Sequence, residues 1–199
     1  MIPPSCFVCK KLVPARAAVP SGRTCIPCRR KTSLYAFLSP YSYDTPIIKN
    51  LIHDLKYRRI RANAPTLANL LSAYVCYYRI AIPSGALLIP IPLHKKRERT
   101  RGFNQSRLIA EALAQKLGLE LRGDVLHKIK KTQPQMELAR EERLKNMDGV
   151  FAVSDTSIVR NRTILLLDDV KTTGATLESA ARVLRAAGAK KIWAITAAH

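Results

Sequence analysis

Acidic residues are scarce in this chain: 14 Asp and Glu stand against 34 Lys and Arg over 199 residues, a formal net charge of +20. That imbalance exceeds what solubility requires. It predicts attraction to polyanions, among them nucleic acid, phosphorylated small molecules and acidic membrane surfaces. Long apolar runs are also missing. None approaches the roughly 20 residues of a bilayer span, which excludes a transmembrane helix. The opening "MIPPSCFVCK" has no basic region followed by an apolar one and does not read as a secretion signal. The expectation is a cytoplasmic protein. No internal repeat or low-complexity tract is found, and with 47% apolar residues the length suits one α/β domain plus a small appendage.

Cysteine is used sparingly but in a pattern. Of five, Cys6, Cys9, Cys25 and Cys28 form C-x2-C-x15-C-x2-C. In a cytosolic chain this spacing points to metal rather than disulfides, with two knuckles presenting four thiolates to one tetrahedral Zn²⁺. Residues 1–32 hold few large apolar side chains and are expected to need the metal to fold. The same segment carries seven Lys and Arg and no acid. It can touch nucleic acid or dock on the neighbouring domain. Cys76 lies in an apolar helical stretch, where a buried structural thiol is expected.

Residues 33–199 form the second predicted unit, with a helical lead-in over 33–85 and a core over 86–199. Ile47, Ile48, Leu51, Ile52 and Leu55 make one helical stripe; Leu67, Leu70, Leu71, Tyr74, Val75 and Tyr78 make another. From residue 86 strands and helices alternate. "ALLIPIPL", "GVFAV", "TILLLDD" and "KKIWAITAA" read as strands. "NQSRLIAEALAQKLG" reads as a helix with Leu108, Ile109, Ala112, Leu113 and Leu117 inward, stopped by Gly118. "GATLESAARVLRAAG" reads as another, with Leu177, Ala180, Ala181 and Leu184 inward and Gly188 at its end. Such alternation predicts an α/β fold with a mostly parallel sheet flanked by helices.

The stretch "ILLLDDVKTTGATL" carries the chemistry. Ligands of open parallel sheets collect beyond the carboxyl ends of the strands, where Asp168 and Asp169 are expected. "KTTGAT" then opens a helix whose first N–H groups, with threonine hydroxyls, suit a phosphate. The carboxylates can accept from vicinal hydroxyls or hold a metal water. A phosphorylated ribose meets both demands. The spacing differs from a Walker A loop, which requires Gly-x4-Gly-Lys-Ser/Thr.

"ILLLDDVKTTGAT" resembles the phosphoribosyl-pyrophosphate (PRPP) motif of type I phosphoribosyltransferases. With "LLIPIPLHKKRERTRGFNQSRLIAEALA", "LIHDLKYRR" and the four-cysteine ribbon, nearly the whole chain resembles the ComF (ComFC) family, linked to natural competence and DNA uptake. The resemblance implies that Asp168 and Asp169 hold the ribose hydroxyls and that Thr172, Thr173, Gly174, Ala175 and Thr176 hold the 5′-phosphate. It makes Lys95, Lys96, Arg97 and Arg101 candidates for pyrophosphate neutralisation, with Mg²⁺ accompanying PRPP. "TQPQMELAREERLKN", bearing Arg140 and Arg143, falls where the mobile hood loop lies, though a solvated loop fits equally. Thr172 stands where oxopurine transferases place an aspartate, which argues against that substrate class. Lys171 replaces the usual apolar residue and can reach a ligand phosphate or solvent.

Two function classes follow. One is a Mg-dependent phosphoribosyltransferase acting on an acceptor that no residue identifies. The other is a single-stranded DNA-binding or adaptor protein on the same fold, working with other competence proteins. There "KYRRIR", "KKRERTR" and "HKIKK" neutralise phosphates, and Tyr57, Tyr74, Tyr77 and Tyr78 stack bases if exposed. Two carboxylates in a polyanion groove repel, which favours a sugar at the acid pair. His94 alone among the histidines lies near it.

Overall fold

The computed structural model describes residues 1–13, 22–130 and 149–199. In chain order the strands are β1 (Ala36–Leu38), β2 (Leu87–Pro90), β3 (Glu120–Leu121), β4 (Leu126–Lys128), β5 (Phe151–Val153), β6 (Thr163–Val170) and β7 (Lys191–Ala198). The α-helices are α1 (Pro46–His53), α2 (Asn63–Tyr77), α3 (Lys95–Arg101), α4 (Gln105–Leu117), α5 (Thr156–Val159) and α6 (Ala175–Ala186). A π-helical turn, Asp54–Arg58, extends α1, and a 3₁₀ helix spans Ile26–Lys31.

Five strands form a parallel sheet in the order β1–β7–β6–β2–β3. Successive side chains on a strand face opposite ways, and both faces here are apolar. Leu88, Leu165, Leu167, Trp193 and Ile195 face one side, buried with Ile52, Leu67, Leu71, Tyr74, Ile109 and Leu113 of α1, α2 and α4. Leu87, Ile89, Ile164, Leu166 and Ile192 face the other, buried with Leu177, Ala180, Ala181 and Leu184 of α6. Each such fully buried side chain contributes about 2 kcal/mol. The α/β reading with a mostly parallel sheet between helices therefore holds.

Several details differ from the periodic pattern. "GVFAV" does not join the main sheet: β5 pairs antiparallel with β4, and this ribbon adds Leu126 and Phe151 to the α6-side core. The buried stripe of α4 is Gln105/Ile109/Leu113 and Ser106/Ala110/Ala114, while Leu108, Ala112 and Leu117 are only partly buried. Its polar first turn is packed inward, which rotates the stripe. Ile47 is exposed, as Ile48, Ile52 and Leu55 already fill the inner face. Cys76 is exposed, not buried: Leu71, Tyr74 and Val75 define the inner stripe of α2, and residue 76 turns past it.

The chain crosses from β2 through α3 and α4 to β3 on one side, and from β6 through α6 to β7 on the other. The sheet order reverses between β2 and β6, so their carboxyl ends flank a crevice of the kind that binds ligands. Among the described residues no helix is long and apolar enough to cross a membrane.

Candidate functional site

Asp168 and Asp169 end the apolar run of β6. Parity puts Asp169 on the face of Leu165 and Leu167, under α4 and the lead-in. Its Oδ2 is ion-paired with the ammonium of Lys56, carried by the π-helical turn, and its Oδ1 accepts from Gln105 Nε2 at 3.2 Å. Asp168 Oδ1 accepts from the Ser106 hydroxyl at 2.8 Å and from the Asp169 N–H at 2.9 Å. Burial pushes the Asp168 carboxyl up, the Asp169 charge adds to it, and the value reaches about 7 despite Lys56 and Ser106. Burial also opposes the charge of Asp169, but Lys56 outweighs it and holds that carboxyl below the usual range. Two adjacent acids thus have different proton affinities.

The segment 103–106 supplies this support. Asn104 caps α4 by accepting from the N–H groups of Ser106 and Arg107, and its amide donates to the Ile91 carbonyl at 3.0 Å. It therefore ties the loop after β2 to the α4 start. Arg101 donates to Gln105 Oε1, and its guanidinium lies 5.9 Å from the Tyr57 ring centroid. Burial lowers the Arg101 pKa against the pull of Asp169. Burial, then Arg97, likewise lowers that of Lys128 against Asp168. Arg101, Lys128 and Lys56 thus lie within electrostatic range of the acid pair, and Arg97 within that of Arg101 and Lys128. Lys95 and Lys96 are exposed on the first turn of α3, which His94 caps by accepting the Lys96 N–H at 3.3 Å. Arg140 and Arg143 lie outside the described residues.

After β6 the chain turns through Lys171, Thr172 and Thr173 to Gly174, which takes φ +84° and precedes the first residue of α6. Thr172 is exposed, Thr173 Oγ1 accepts the Ala175 N–H at 3.4 Å, and Thr176 lies in the first turn of α6. N–H groups of a first helical turn have no acceptor within their own helix, and they favour an anion. Lys171 is buried, its ammonium 5.1 Å from the Phe7 ring centroid and 5.2 Å from that of Phe37.

The four ribbon cysteines converge. Their sulfurs all lie within 4.8 Å of one another, with Cys9 and Cys25 at 3.6 Å. A zinc tetrahedron with Zn–S of about 2.3 Å has edges of about 3.8 Å, so the set can hold a metal such as zinc. Burial disfavours the Cys6 thiolate, but N–H groups of Cys9, Cys25 and Val8 outweigh it and bring the thiol down to about 7.

Residues 104–199 match the phosphoribosyl transferase domain. The chain is 30% identical to the DNA utilization protein YhgH of Salmonella typhi, over 96% of this chain and 88% of that protein. It is 33% identical to Competence protein F of Haemophilus influenzae over 58% of this chain and 50% of that protein. The chain belongs to the ComF family. Competence protein ComFC of Bacillus subtilis, another relative, is 41% identical over 49% of this chain and 38% of its own length.

Within this ComF-family chain several residues of the site carry no sequence signal for it. Lys56 and Lys128 sit in basic clusters that read as contacts to nucleic-acid phosphates. Gln105 and Ser106 read as a polar helix start. Only the lone acid pair, with two carboxylates needing nearby donors, hints at their role.

Proposed function

We propose that the chain binds PRPP at the carboxyl end of β6 and serves DNA uptake in natural transformation. The observation that carries this reading is the donor-supported acid pair, Asp169 buried and Asp168 partly so, running directly into a glycine turn that opens α6. Ribose hydroxyls donate to Asp168 and Asp169. The 5′-phosphate accepts from the 172–176 segment, and Arg97 and Arg101, with Lys95 and Lys96 near the α3 start, neutralise the pyrophosphate. Mg²⁺ bound with the pyrophosphate supplies further neutralisation, and Asp168, partly exposed while Asp169 is engaged by Lys56, is the carboxylate that fits it. Transfer of the phosphoribosyl group to an acceptor nucleophile, the bond from C1′ to pyrophosphate breaking as the bond to the acceptor forms and pyrophosphate being released, is the reaction such a site can support. Relatives named for DNA utilization and competence support the process.

Calorimetric titration of PRPP with Mg²⁺ into zinc-loaded protein tests the reading. Binding by the wild type, lost in Asp168→Asn/Asp169→Asn with zinc content intact, is the expected result. A folded wild type that binds no PRPP refutes it. A second reading, single-stranded DNA binding, draws on the exposure of Tyr57 (65%), whose ring lies 5.9 Å from the Arg101 guanidinium, and of Tyr77 (69%), whereas Tyr74 is fully buried. Strongly salt-dependent oligonucleotide affinity, weakened by Tyr57→Ala, is its signature.

A further inference from the structure

The four-cysteine ribbon stands against the loop that follows β6. Phe7 lies between Cys6 and Cys9, in the first knuckle. A Cβ on Gly174 would meet Phe7 Cζ at 2.6 Å and Lys171 Cε at 3.3 Å, so the loop backbone passes the ring with no room for a methyl group. Lys171 runs along the same side of the glycine, and its ammonium faces two rings, Phe7 from the ribbon and Phe37 from β1. Those rings meet edge to face, 5.4 Å apart at 73°. A separate contact lies one helical turn on. The Thr32 hydroxyl and the Ser33 N–H, the latter at 2.8 Å, donate to the carboxylate of Glu178 in the first turn of α6. The N-terminal segment thus grips the loop at Gly174 and its helix at Glu178.

A phosphate cradle works when its N–H groups point at one place before the ligand arrives. This loop reaches α6 through a glycine at positive φ, and the backbone around that glycine is backed by an aromatic ring. The ring's own position is set by a knuckle whose geometry depends on metal.

We propose that Phe7 is a positioning residue for the 171–176 loop, so that metal in the four-cysteine cluster sets the affinity of the site for a phosphorylated ribose. The proposal rests on the PRPP reading for its ligand but not for its mechanical part. Loss of the ring or of the metal lets Gly174 and Lys171 relax, and the loop amides lose their shared direction. The ribbon is then part of the binding site, and its metal occupancy acts as a control on it.

The test compares wild type, Phe7→Ala and Phe7→Tyr, each with zinc content measured, and wild type stripped of metal by a chelator. Hydrogen exchange across residues 171–178 is read without ligand, and PRPP affinity with Mg²⁺ is read by calorimetry. Phe7→Ala with full zinc is expected to exchange faster there and to bind PRPP about tenfold more weakly. Metal-stripped protein should behave the same way, and Phe7→Tyr, which keeps the ring but adds an oxygen on the Cζ that faces Gly174, should also disturb the loop and weaken PRPP binding. Wild-type exchange in zinc-loaded Phe7→Ala overturns the proposal, as does unaltered PRPP affinity. If Phe7→Ala loses its zinc, Phe7→Leu carries the same comparison. If wild type binds no PRPP, the ligand reading falls, and exchange alone decides whether the ribbon positions the loop.

Discussion

Lys56 and Asp169 form an ion pair in the floor of the crevice, the ammonium coming from a π-helical turn and the carboxylate from the end of the central strand. Lys56 is held above its ordinary pKa because the pull of Asp169 exceeds the cost of burial. The pair lets two acids sit side by side in the interior, since one has its charge matched and the other, Asp168, sheds its proton only near pH 7. π turns are rare and concentrate at functional sites. Here the turn places a lysine where an ordinary helical turn would not.

Removing Lys56 leaves a buried carboxylate without its partner. Lys56→Met is expected to cost about 3 kcal/mol, the scale of a broken buried pair. Asp169→Asn added to that variant should recover most of the loss. Urea denaturation of the two single variants and the double variant checks this. A Lys56→Met protein as stable as wild type would show that water already screens the pair.

The Asp168 value sets a pH dependence. A ribose hydroxyl donates to the carboxylate, so PRPP affinity should rise by about tenfold from pH 6 to pH 8 as Asp168 ionises. Stability runs the other way for this group. The native state keeps the proton up to about pH 7, while the unfolded chain loses it near the ordinary 3.8, so stability from Asp168 falls as pH rises between those values. Asp169 has the opposite sign: its contribution is present above the ordinary carboxylate value and is lost as pH falls through its lowered pKa. Asp168→Asn should raise the melting temperature at pH 8 and flatten the binding profile. An unaltered profile in that variant would assign the titration to the ligand.

Metal removal should separate the ribbon from the sheet. The single tryptophan, Trp193, is buried in β7 and reports on the core. A zinc chelator, or Cys25→Ser, is expected to make Cys6 and Cys28 reactive to a thiol reagent while Trp193 emission stays native. Concerted loss of both signals would mean that the core depends on the ribbon.

The parts of the fold readable in the sequence are those with enough residues to show a period. β6, β7 and α6 are eight residues or longer, and their apolar positions announce them. β1 and β3 have three residues and two, too few for alternation to register. α3 buries none of its residues, so "KKRERTR" shows no face at all. The acid pair and its loop are legible because they are contiguous. Their support is not: Lys56 is over a hundred residues away and reaches Asp169 through an altered helical register that no 3.6-residue period anticipates. Gln105 and Ser106 are polar side chains buried because carboxylates await them, which reverses the usual inference from polarity. The basic ribbon shows no apolar period in the sequence that would say what it packs on. Phe7 against Gly174 and Thr32 on Glu178 place it against the domain.

Gly174 tests that seam from the other side. Its φ of +84° costs an L residue about 1–2 kcal/mol, and a methyl there would also strike the Phe7 ring. Gly174→Ala should therefore lose stability by more than the backbone term and lose PRPP binding with it. In Phe7→Ala/Gly174→Ala the collision is gone, and the backbone cost and the loss of the ring's packing remain. The double variant should then lose less stability than the two single variants summed, a non-additivity expected of residues in contact. Thermal melts of the four proteins measure it. Strict additivity would mean that the glycine is needed for its φ alone and that Phe7 does not press on the loop.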